Sequence, residues 1–81
     1  MNVKVLGTGC AKCKKLEETV KNVMKENNIS GDIEKVTQIE DIMKYGIMMT
    51  PGLVVNGKVK SSGSIPKDDQ ILAWLKESEN A

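Results

Sequence analysis

The sequence predicts an α/β domain of order β-α-β-α-β-β-α, with a four-stranded mixed sheet, a parallel first pair and an antiparallel C-terminal hairpin, covered by three helices. Two patterns and the chain length support this reading. A short alternating run at the N-terminus leads into a long amphipathic stripe and then a second apolar run, and a strand-helix-strand unit closes as a right-handed parallel pair. An Asn-Gly dipeptide separates two strand-like runs, Leu53–Val55 and Lys58–Lys60, which spells a two-residue hairpin. With 81 residues, the whole chain, 1–81, is read as one domain, about the smallest in which helices on a sheet bury a core.

Val3, Val5 and Leu6, with Lys4 between them, form the first strand, which Gly7-Thr8-Gly9 ends. No phosphate-loop pattern follows these glycines, so they are turn residues. From Ala11 to about Asn27, the residues Cys13, Leu16, Val20, Val23 and Met24 recur at steps of three or four. Lys12, Lys14, Lys15, Glu17, Glu18, Lys21 and Lys25 fill the other faces of that helix. Asn27-Asn28 ends it, and Gly31–Val36 reads as a strand without clean alternation, which suits a sheet edge. Thr37-Gln38-Ile39-Glu40 has the pattern of a capping box opening a short helix, with Ile39, Ile42 and Met43 on one face and Gly46 as its stop. A loop follows from Ile47 to Gly52. Asn56-Gly57 supplies the positive φ of a type I′ turn, so the strands around it run antiparallel. Ser61–Ile65 is a polar loop in which Gly63 takes positive φ. Pro66 then opens the last helix, where its missing amide has no consequence, and Asp68 and Asp69 face the positive dipole end. Ile71, Leu72 and Leu75 are its buried stripe, with Trp74 half-buried. Met43, Met48 and Met49 are read as filler of an irregular aliphatic core, Met48 and Met49 also serving as an apolar rim to a partner groove.

Composition removes most classes of function. Apolar residues at 40% and charged residues at 28% describe a folded, soluble domain. Twelve lysines against eleven acidic residues give a net charge of +1, and Tyr45 and Trp74 are the only aromatics. Neither a basic footprint nor a stacking platform is present, so no nucleic-acid partner is expected. No run approaches the ~18 apolar residues of a membrane span, and Met1–Leu6 leads into glycines rather than an apolar signal segment. No membrane partner is expected, and the chain is read as cytoplasmic. The sequence has no His, which removes the commonest general base, the commonest metal ligand and every Cys-His dyad.

Sulfur chemistry remains. Cys10-Ala11-Lys12-Cys13 lies where the first strand hands over to the first helix, with Cys10 at the N-cap and Cys13 one turn in. Residues three apart on a helix are neighbours at about 5–6 Å, a separation a disulfide tolerates. Unpaired amides and the helix dipole favour a thiolate on Cys10, and Lys12, with Lys14 and Lys15, adds positive potential. A pKa lowered from about 8.5 to about 7 raises the thiolate fraction at pH 7 roughly sixteen-fold, while the accompanying loss of nucleophilicity takes back about five-fold. The larger benefit is that Cys10 leaves well when Cys13 attacks a mixed disulfide. Cys10 is therefore the expected nucleophile and Cys13 the resolving thiol, in a reaction that needs no cofactor and no metal. A static staple is a weaker use, since closing about four residues is worth only about 2 kcal/mol and a reducing compartment opens it. A structural zinc would want four ligands and finds two. The alternative function is a soft-metal carrier holding Cu(I) between the two thiolates.

Gly9-Cys10-Ala11-Lys12-Cys13 at the strand-helix junction, together with Thr50-Pro51 before the hairpin, resembles the thioredoxin superfamily. The likeness is closest to the small thioredoxin/glutaredoxin-like redox-active disulfide proteins of archaea and bacteria, and it spans essentially the whole chain. It implies the same element order and thiol-disulfide oxidoreductase activity, with Cys10 attacking and Cys13 resolving. It also implies a cis proline facing the disulfide, here Pro51, and a backbone at Thr50 that meets an extended substrate segment, with Met49 beside it. The partners it implies are a disulfide reductase of the thioredoxin-reductase type and disulfide-containing proteins, and the chain is expected to be a monomer. Gly9 stands where typical thioredoxins carry Trp, and Ala11-Lys12 where they carry Gly-Pro. Heavy-metal-associated domains, which resemble the rival reading, run β-α-β-β-α-β and usually place Met where this chain has Thr8.

Overall fold

The structure is a computed structural model that describes residues 1–79. Its elements are β1 (Asn2–Leu6), α1 (Ala11–Glu26), β2 (Asp32–Val36), α2 (Ile39–Met43), β3 (Gly52–Val55), β4 (Lys58–Ser62) and α3 (Asp68–Glu79). The strands form one sheet in the order β2-β1-β3-β4, in which β1 runs parallel to β2 and antiparallel to β3, and β3 runs antiparallel to β4. This is the predicted order, with β2 at an edge as its weak alternation suggested.

Alternation along β1 and β3 sorts side chains onto two faces. Val3 and Val5 stand opposite Val55 and Leu53. These four meet Leu16, Val20, Val23 and Met24 of α1 and Ile71 and Leu75 of α3 in the larger core. Leu16, Val20, Ile71 and Leu75 keep no accessible surface, and Trp74 packs half-buried against them. On the other face Leu6 and Val54 are covered by Ile42 and Ile47, with Val36 and Tyr45 at the margin. Lys4 Nζ donates to Tyr45 Oη at 3.1 Å and lies 5.8 Å from the ring centre, which ties β1 to the turn after α2.

Five expectations need correction. Thr37 does not cap α2; the N-cap is Gln38, whose carbonyl accepts from Ile42 N at 3.0 Å, and no side chain bonds there. Glu40 is then the second helical residue, one short of the position a capping box requires. Of the expected inward face only Ile42 is buried, while Ile39 and Met43 are 63% and 66% exposed. A five-residue helix presents little more than one side chain inward, and Ile42 and Ile47 already close the smaller core. For the same reason Met43, Met48 and Met49 are surface residues, Met48 being 99% exposed, and only Met24 among the internal methionines fills the interior. β4 continues through Ser61 and Ser62, because the register steps from Val54↔Val59 to Leu53↔Ser61 and a bulge absorbs Lys60. Pro66 lies outside α3, since the Lys67 carbonyl accepts the first helical bond from Ile71 N at 3.0 Å. Asn56 and Gly57 have φ of 50° and 82°, as the hairpin turn demands.

Leu16→Ala should lower the unfolding free energy by about 2–5 kcal/mol, measured as an earlier urea midpoint at unchanged slope. Met48→Ala should shift it by no more than about 0.5 kcal/mol.

Candidate active site

The β1–β3 register builds the site. Leu6 stands opposite Gly52, so the turn leaving β1 and the Thr50-Pro51 segment entering β3 emerge side by side at one end of the sheet. Gly7 N donates to Val36 O at 2.9 Å, carrying the pairing one residue past β1. A Cβ on Gly7 would lie 2.8 Å from Cys13 Cβ and would collide with its sulfur, so the missing side chain is what lets Cys13 seat against the strand end. Gly9, at φ 94°, adopts the left-handed turn that most residues resist and delivers the chain to the N-cap of α1.

Cys10 is that N-cap, with φ −68° and ψ 165°. Its carbonyl accepts from Lys14 N at 3.0 Å and its Sγ accepts from Cys13 N at 3.2 Å. The two cysteines are joined as a disulfide with Cα atoms 5.0 Å apart. The sulfurs occupy unlike surroundings, for Cys10 is exposed and Cys13 is 5% exposed. An amide aimed at Cys10 Sγ, at the positive end of a 16-residue helix, stabilises negative charge on that sulfur once the bond opens.

The Thr50-Pro51 peptide is cis. Pro51 is buried, its carbonyl accepting from Gly63 N at 2.8 Å, and Thr50 is exposed. Thr50 shares an apolar groove with Thr8, Ile39, Met43 and Met48, so the cysteine turn and the proline loop border one surface. Met49 turns the other way, against Gly63, whose φ of 79° confirms the positive value expected there. Lys12 is exposed on α1, whereas Lys14 reaches the cavity beside Cys13.

That cavity, of about 100 Å³, is bordered by Val5, Gly7, Cys13, Glu17 and Lys35. Glu17 is one of the charged residues off the apolar stripe of α1, yet its side chain is only 15% exposed. Its Oε2 lies 3.3 Å from Lys35 Nζ and its Oε1 3.6 Å from Lys21 Nζ. The available signal was spacing: Cys13 and Glu17 are four apart and so share one side of the helix.

A family model described as thioredoxin domain matches residues 1–76. The chain belongs to the thioredoxin family. It is 34% identical over 71 residues to a thioredoxin of Methanothermobacter thermautotrophicus, an overlap covering 88% of this chain and 92% of that protein. It is also 34% identical over 74 residues to a thioredoxin of Methanocaldococcus jannaschii, covering 91% and 85% respectively. The sheet and helices are those of the thioredoxin-like α/β fold, and the Cys10–Cys13 disulfide is its redox-active centre. The protein is a dithiol-disulfide oxidoreductase, a family activity that entails a reductase on one side and disulfide substrates on the other. The element order ends in a helix, unlike the β-α-β-β-α-β order of heavy-metal-associated domains. Among the described residues no helix is long and apolar enough to cross a membrane.

Gly7→Ala should destabilise the oxidised protein by about 1–3 kcal/mol through overpacking against Cys13, read from urea unfolding without reductant.

Proposed function

We propose that the chain works as a single monomeric module, 1–81, in the cytoplasm, passing electron pairs from a thioredoxin-reductase-like enzyme to disulfide-containing proteins. The observation that carries the assignment of roles is the contrast between exposed Cys10 and buried Cys13. The Cys10 thiolate attacks one sulfur of a substrate disulfide, expels the other as a thiolate and forms a mixed disulfide. Cys13 then attacks Cys10 Sγ, the bond to the substrate breaks, and the substrate's second sulfur leaves with the electron pair. The Cys10–Cys13 disulfide remains and is reopened by two electrons from the reductase.

Thr50 offers backbone hydrogen bonds to an extended substrate segment, Pro51 holds that backbone beside the disulfide, and Met49 flanks it. The groove shared by Thr8, Met48 and Thr50 supports this placement. Lys12 adds positive potential near the nucleophile.

Equilibrating the metal-free protein against thiol-disulfide buffers should give a reversible two-electron titration within roughly −120 to −300 mV. A pair that does not titrate, in a protein that binds Cu(I) tightly and stoichiometrically as purified, would replace this reading with the soft-metal carrier. Cys10→Ser should abolish dithiol-driven disulfide reduction, and Cys13→Ser should accumulate mixed disulfides through Cys10, seen by mass under non-reducing conditions. Full activity in Cys10→Ser would overturn the roles.

A further inference from the structure

Among the described residues five large hydrophobic side chains stay exposed, Ile39, Met43, Met48, Met49 and Val59, and three of them are methionines. They are not scattered. Ile39, Met43 and Met48 wall the groove that Thr8 and Thr50 border, over a floor of buried Ile42 and Ile47. Ile39 and Met43 are four apart on α2 and so share one side of it, while Met48 belongs to the loop that leads into Thr50 and Pro51.

We propose that Met43 and Met48 form a modification site. A hydroperoxide converts their thioethers to sulfoxides while the cysteine pair is closed, and the groove, made polar, no longer holds the apolar segment of a protein substrate, whereas small disulfides still react at Cys10. The inference rests on the substrate groove and the Cys10 role proposed above.

Packing does not account for these thioethers. Met48 keeps 99% of its surface and Met43 66%, against 5% for Met24 in the core. Leucine in either place would supply the same apolar contact; methionine differs in a more flexible stem and an oxidisable sulfur. A sulfoxide adds a strong hydrogen-bond acceptor, which retains water in a groove that must dry to receive an apolar side chain.

The state of the cysteines decides when the groove is modified. In the reduced protein the Cys10 thiolate takes the oxidant first: it attacks one peroxide oxygen, the other leaves as water or an alcohol once protonated, and Cys13 converts the resulting sulfenic acid to the disulfide with loss of water. With the pair closed no thiolate remains, and the exposed thioethers become the softest nucleophiles at this end of the sheet. Methionine sulfur then attacks the peroxide, the O–O bond breaks, one oxygen stays on sulfur and the other departs as water or an alcohol. Sulfur gives up two electrons and the peroxide takes them. Sulfoxides therefore accumulate only where oxidant outruns the reductase.

The test treats the disulfide form with hydrogen peroxide, removes the oxidant, and reopens the pair with dithiothreitol, which leaves sulfoxides in place. Peptide masses should show one added oxygen on Met43 and on Met48, with Met24 unmodified. Reduction of insulin disulfides should then fall about fivefold or more, while the reaction with bis(2-hydroxyethyl) disulfide stays within about twofold, which also reports an intact fold. Oxidation of Met24 as fast as Met48, an equal loss of both reactions, or undiminished insulin reduction after complete conversion of Met43 and Met48 overturns the proposal. In Met43→Leu/Met48→Leu the rates are compared before and after peroxide, so any effect of the substitutions themselves cancels. Insulin reduction in this variant should survive peroxide, and a persistent loss assigns the effect to other residues and overturns the proposal. Met43→Gln/Met48→Gln, assayed without peroxide, separates the two layers of the argument. Full insulin reduction in that variant removes the groove reading and this inference with it; impairment there, beside an unimpaired peroxide-treated protein, removes this inference alone.

Discussion

Pairing on both sides of β1 is the constraint from which the site follows. β1 is five residues long and is held in register by β2 on one side and β3 on the other, so its end is among the least movable points of the molecule. Gly7 continues that order by bonding Val36, and everything chemical is measured from there. The cysteine turn leaves β1 directly, Pro51 enters beside it through β3, and Lys35 arrives through β2. A slip of one residue in either pairing would exchange the two faces of the sheet and separate these groups.

Within that frame the disulfide is made unequal by packing rather than by its own residues. Both cysteines lie in the first turn of one helix, yet Gly7 admits Cys13 to the interior while the N-cap position leaves Cys10 outside. Exposure gives Cys10 its access, and the Cys13 amide gives it a hydrogen bond suited to a thiolate. The same tight seat keeps the Cys13 sulfur out of reach of a bulky partner. Reactivity at one sulfur and protection at the other are thus two results of one fitted contact.

The parts legible in the sequence are those written locally. The Asn56-Gly57 turn, the stripe from Cys13 to Met24 and the glycines around the cysteine pair each depend on a few neighbouring residues, and the structure agrees with all three. The cysteine spacing likewise marks the redox-active pair. What sequence reading missed depends on who lies opposite. The five residues of α2 are too few to establish a period, so Ile39 and Met43 were assigned to a face already filled by Ile42 and Ile47. The extra residue in β4 is set by its partner strand. Glu17 is an ordinary surface position until Lys35 on β2 and the end of β1 close over it.

The register between β1 and β3 also fixes when the site comes into being during synthesis. Val3 pairs with Val55, so the central strand waits for roughly fifty residues of chain before its second partner exists, and Ile71 and Leu75, which seal the core over α1, come later still. The cysteines, three positions apart, emerge early and together. What separates the two sulfurs lies close to them in the chain, in Gly7 and the first turn of α1, so the elements that arrive last complete the core around a pair whose asymmetry is set by its near neighbours.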